Sequence, residues 1–257
     1  MIYNFSFTYV FCWRFAFLYV GMILCIVVCI IWVAACSKKK NIYSYTKDKN
    51  EVTITGLTGY GKTLNQLAIP NKIKGNKVTK IGENAFEYCN NVQNVEIPSS
   101  IQLIDTGAFY SCENLEYVHV CGSVNIGDMA FANCESLIEF EPEEEIKNIG
   151  FQCFCNNDLA NLDRILENTD RVDKSSFMWS NKITNIVIPD NIEIIPQKAF
   201  AYCNELKEVT ISESVKEIGE DAFTNKENSV KIITTKGSVA EQYAIDHNIP
   251  YETRDDL

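Results

Sequence analysis

From Val78 to Thr234 the chain repeats one order of apolar and polar positions about every 23 residues. Setting VTKIGENAFEYCNNVQNVEIPSS (78–100) beside IQLIDTGAFYSCENLEYVHVCGS (101–123) gives the template I-G-x-x-A-F-x-x-C-x-x-L-x-x-I-x-I-P. A phenylalanine marks each copy, at Phe86, Phe109, Phe131, Phe154, Phe177, Phe200 and Phe223, with spacings of 23, 22, 23, 23, 23 and 23. Five residues before it stands Ile81, Ile104, Ile126, Ile149, Val172, Ile195 or Ile218. The NVEIP segment and its counterparts alternate apolar and polar residues and stop at proline in several copies, which predicts a short strand. Val95, Ile97, Val118, Val120, Ile186, Ile188, Val209 and Ile211 are then expected to point inward, and Pro98 and Pro189 to end their strands, since proline has no N–H for a ladder.

One such unit cannot bury its own apolar stripe, whereas stacked units can. The expected fold is a solenoid with a parallel sheet along one side and short helical turns and loops on the other. Strands about 4.8 Å apart put seven coils over about 30 Å. The fourth copy departs from the template: after Phe154 the text runs FCNNDLANLDRILENTDRVDKSSF, with Asn157 at the cysteine position and its leucines one place early. A bulged or misregistered strand is expected there.

The template resembles the BspA-like, or Treponema-type, leucine-rich repeats. Over about residues 52–252 that resemblance implies an α/β leucine-rich repeat solenoid with a β-hairpin-like N-terminal cap and a C-terminal cap helix. It also implies a surface protein that in some members adheres to host or neighbouring-cell components. The division expected along the chain is a signal peptide or transmembrane segment (1–35), a linker (36–51), a β cap (52–77), seven repeats (78–234) and a C-terminal cap (235–257). In the last, Ser238 and Glu241 form an S-x-x-E box opening a helix from about Val239 to His247, stopped before Pro250.

Phe15 to Ala35 is 21 residues without a charge, long enough to cross a bilayer as a helix. It ends in VAAC (33–36), which resembles a bacterial lipobox and makes Cys36 the expected lipidation site. An uncleaved anchor is the competing expectation, because the run exceeds the ~7–15 residue core of a signal peptide. Lys38, Lys39 and Lys40 outnumber the single preceding Arg14, which fits neither export route under the positive-inside rule. Either way the chain is expected at the membrane, on its extracellular face.

Composition narrows the partners. With 34 Asp and Glu against 23 Lys and Arg, a net charge of −11, the chain lacks the basic surface a nucleic-acid binder needs. GLTGYGKT (56–63) matches a phosphate-loop pattern, but a working loop opens a helix and only six residues separate Thr63 from Pro70. No nucleotide is expected; Gly56, Gly59 and Gly61 read as positive-φ turn glycines between strands near 52–55 and 64–69.

Seven cysteines follow Cys36, an odd number that argues against a disulfide scaffold. Cys89, Cys112, Cys134 and Cys203 each lie three residues after a phenylalanine, so they form a line rather than converge, and are expected as small buried apolar groups. No metal or cofactor is expected, and the two histidines, His119 and His247, have no evident nucleophile to serve. The outward strand positions offer the candidate binding face: Tyr117, His119, Glu139, Glu141 and, from the irregular fourth copy, Asp163. The expected function is non-enzymatic capture of a protein or glycan, with an envelope scaffold as the alternative and a hydrolase the least favoured.

Overall fold

A phenylalanine that returns once per coil has to meet its copies, and it does. The computed structural model describes residues 41–225, 230–255 and 257; segment 1–35 and Cys36 lie outside them. Consecutive rings from Phe86 to Phe223 stand 4.9 to 5.7 Å apart, and every pair beyond Phe109 lies within 7° of parallel. All seven are buried. Each contact adds about 0.5–1.5 kcal/mol to the burial of the rings.

The backbone around each ring ties one coil to the next. The N–H of Phe86 donates to Ala108 O at 2.7 Å, and Phe109, Phe131, Phe154, Phe177 and Phe200 repeat this bond to the coil that follows. The residues two before and two after the ring take left-handed backbone: Met129 and Asn133 flank Phe131 at φ 52° and 58°, and Lys198 and Tyr202 flank Phe200 at 58° and 60°. Their N–H groups also reach the following coil. The inter-coil bonds hold a conformation that non-glycine residues otherwise avoid.

The alternating segments form the first ladder. Strands β3 (Gln66–Ala68), β6 (Asn94–Ile97), β8 (Tyr117–Val120) and β10 (Glu139–Pro142) run parallel in register. After an interruption it resumes with β12 (Asn185–Ile188), β14 (Glu208–Ile211), β16 (Lys231–Thr234) and β17 (Tyr251–Thr253). All eight strand residues expected inward are buried, and β6 and β12 stop directly before Pro98 and Pro189.

A second ladder faces the first, and the repeat pattern does not reveal it as strand. It comprises β1 (Tyr43–Asp48), β2 (Glu51–Leu57), β5 (Asn76–Ile81), β7 (Leu103–Ile104), β9 (Val124–Ile126) and β11 (Ile146–Ile149), then β13 (Ile194–Ile195) paired with β15 (Glu217–Ile218). β4 (Lys72–Ile73) folds back antiparallel on β5. Several members are two residues long, too short to show alternation. The isoleucine that precedes each phenylalanine by five is their inward residue.

Three expectations change. The hairpin of the N-terminal cap joins β1 to β2, so a strand occupies 43–48 in the stretch read as linker. Its reason is coverage: Tyr43 of β1 closes the ring column at 6.3 Å from Phe86, and its hydroxyl donates to Ala68 O at 2.8 Å. β2 and β3 belong to different ladders, so the glycine-rich stretch between them is a crossing rather than a hairpin turn. Of its glycines only Gly56 has positive φ, at 153°. Gly61 lies in a 3-10 turn, Gly61–Thr63, where a Cβ would come 2.3 Å from Ile42 O, so close approach explains it.

The third change is in the fourth copy, where a helix, α1 (Leu162–Glu167), replaces the expected strand. Leu162, Ile165 and Leu166 are buried at the helical spacing of 3 and 4 that their early placement signals. The Asn161 side chain accepts from Phe140 N at 3.2 Å and donates to Phe140 O at 2.8 Å, satisfying the edge of β10 in place of a neighbouring strand.

At the far end, α2 (Val239–Asp246) caps the solenoid, with Tyr243 edge-on to Phe223 at 6.2 Å. The Ser238 hydroxyl accepts from Glu241 N as the box requires, while the Glu241 carboxylate takes the N–H of Gly237.

Candidate binding face

Outward positions of β8 and β10 become neighbours because the two strands pair in register, Glu139 opposite Tyr117 and Glu141 opposite His119. Four of the five candidate residues therefore share one patch. Tyr117 donates its hydroxyl to Glu141 Oε2 at 2.7 Å. Burial, and then the Glu141 carboxylate, push the phenol up, so it remains a donor. The His119 ring stands 6.4 Å from that of Tyr117. Its Nε2–H donates to Glu143 Oε1 at 3.0 Å.

Asp163, the fifth, is corrected. It lies exposed in the first turn of α1, not on a strand, because the fourth copy is helical there. The next residue, Arg164, reaches back to Glu141 Oε1 at 3.5 Å. Arg164 follows Phe154 by ten, as His119 follows Phe109 and Glu141 follows Phe131, so counting from the phenylalanine finds it.

Sequence reasoning also passed over Cys121 and Glu143. Both follow their phenylalanine by twelve, the column that Pro98 and Pro189 occupy in other coils. Cys121 Sγ lies 3.8 Å from His119 Nδ1. Burial first, then the Glu143 and Glu96 charges, raise its thiol.

The other histidine, His247, ends α2, with its ring stacked on Tyr243 at 4.1 Å and its Nδ1–H directed at Tyr243 O at 2.9 Å. That contact explains it as part of the cap. Among the described residues no helix is long and apolar enough to cross a membrane.

A family model described as BspA type Leucine rich repeat region, in six copies, matches residues 59–182 and 170–246. Among solved structures the chain is similar to a leucine-rich repeat protein from Bacteroides ovatus, at 23% identity and TM-score 0.57, covering 77% of this chain and 55% of that one. It is also similar to a leucine rich cell surface protein from Faecalibacterium prausnitzii, at 21% identity and TM-score 0.51, covering 76% and 54%. The chain thus spans about half the length of these two relatives. No curated protein matches it.

Proposed function

Since this chain belongs to the BspA-type leucine-rich repeat family, we propose that it is a non-enzymatic binding protein, displayed at the cell surface, that captures a protein or glycan on the outward face of β8 and β10. The observation that carries this reading is the linkage of Tyr117, Glu141 and Arg164, by contacts of 2.7 and 3.5 Å on one carboxylate. Ordered polar groups around an aromatic ring lose little freedom on binding, which favours recognition over a merely solvated surface. Glu96, Glu139, Glu141 and Glu143 make the patch acidic, so basic protein segments or sugar hydroxyls are the complementary chemistries. The solved relative from Faecalibacterium prausnitzii is described as a cell surface protein, in keeping with display outside the membrane.

Attachment in this reading is through a lipidated Cys36, or through the apolar segment that precedes it. Intact mass of the membrane-extracted protein separates these: a chain beginning at acylated Cys36 supports the lipid, and retention of Met1 supports the anchor helix.

Beads carrying the full chain are tested against immobilised basic proteins and a panel of glycans. The wild type binds at least one of them, and Tyr117→Phe combined with Glu141→Gln lowers that binding several-fold. Equal capture by the two proteins removes this face from consideration.

A further inference from the structure

The same two coils hold a second, chemically different arrangement. His119, Cys121 and Glu143 each bring one donor atom, nitrogen, sulfur or oxygen, within 4.8 Å of the others. From these positions we infer that His119, Cys121 and Glu143 form a binding site for a divalent transition metal, zinc being the ion whose preferences they match.

Imidazole, thiolate and carboxylate are together the donor set of a borderline-soft ion rather than of calcium or magnesium, which take oxygen alone. Metal–nitrogen bonds near 2.0–2.1 Å and metal–sulfur bonds near 2.3 Å in a tetrahedron place neighbouring donors about 3.3–3.8 Å apart. His119 Nδ1 and Cys121 Sγ already stand at 3.8 Å. In the neutral ring, Nε2–H faces the carboxylate of Glu143, which only accepts, so the Nδ1 lone pair is turned toward the thiol. Glu143, whose side chain is 53% exposed, is free to swing from Nε2 to the Cys121 side. Glu96, paired with His119 across β6, or a water then completes four ligands.

Position in the repeat supports the same conclusion. Cys121 and Glu143 replace the strand-ending proline on successive coils, and neither is buried in the core. Nothing in the packing of the solenoid asks for a thiol there, unlike Cys112 or Cys134, which are fully buried. Binding converts the Cys121 thiol to thiolate and releases one proton to solvent. The surrounding carboxylates, which disfavour a bare thiolate, become favourable once a dication is present.

No macromolecular partner is needed to test the site, whose readout is the metal alone. The detergent-solubilised full chain, reduced, is titrated with Co²⁺ as a spectroscopic stand-in for Zn²⁺. The wild type is expected to show a sulfur-to-cobalt charge-transfer band that Zn²⁺ abolishes, with micromolar or tighter affinity. Cys121→Ser removes the band, and His119→Gln weakens binding at least tenfold, while metal-free melting of both variants stays close to wild type and shows that they fold. A wild type without the band, or a Cys121→Ser protein that keeps it, overturns the site.

Discussion

Cys112 donates its thiol to the carbonyl oxygen of Phe86, one coil back, with an Sγ···O distance of 3.0 Å. Cys134 does the same to Phe109 at 3.1 Å and Cys203 to Phe177 at 3.3 Å, and the Asn157 amide reaches Phe131 O at 2.9 Å. The column is therefore a line of hydrogen-bond donors as well as small apolar filler. Burial pushes the Cys203 thiol up to about 12, so it keeps the proton that it donates.

Ser180 occupies this column in the fifth coil, and its buried hydroxyl has no hydrogen-bond partner. Ser180→Cys places a longer bond where its neighbours have one, and is expected to stabilise the protein by about 0.5–1.5 kcal/mol. Cys112→Ser is expected to cost about 1–3 kcal/mol by leaving this column a further orphaned hydroxyl beside that of Ser180. Urea unfolding of the two variants checks both signs; a stabilising Cys112→Ser defeats this account of the column.

Phe131 touches three rings: Phe109 at 5.0 Å, Phe140 at 5.3 Å and Phe154 at 5.5 Å. Phe131→Ala should lower unfolding free energy by about 3–5 kcal/mol, from lost burial and the cavity left behind. Because coils support only their neighbours, hydrogen exchange should quicken in the adjoining coils before the terminal ones. Uniform loosening along the chain would contradict nearest-neighbour stacking.

Gly150 lies against the preceding coil, where an added Cβ would come within 2.6 Å of Gly127 C and 2.7 Å of Asp128 N. Both are backbone, held by the ladder, and cannot rotate aside. Gly150→Ala is expected to destabilise by about 1–3 kcal/mol through strain. The control is Gly59→Ala, whose Cβ meets nothing within 4 Å. Thermal melting should separate the two clearly.

Hydrogen bonds from Lys231 and Arg254 hold the Glu252 carboxyl down at about 2, from an ordinary value of 4.5. A lowered folded-state value contributes stability above the unfolded one and loses it as pH falls. Attachment of β17 to β16 should thus be full above pH 4.5 and weaken as pH approaches about 2. Amide exchange at Tyr251–Thr253, followed through that window, should lose this dependence in Glu252→Gln.

The period by itself dictates the ring column, the inward side of each long strand and the stacking, because every coil meets a near-copy of itself and the same local choice succeeds seven times. Features that occur once have no such amplification. The helix in the fourth coil is such a feature, and the closure of the column by Tyr43 and the meeting of Tyr117 with Glu141 depend on residues brought together from different coils. His119, Cys121 and Glu143 lie on two successive turns, and only the register of β8 against β10 makes them neighbours. Two-residue strands of the second ladder are likewise too short to carry a pattern, and become strands only because the coils on either side supply their hydrogen-bond partners.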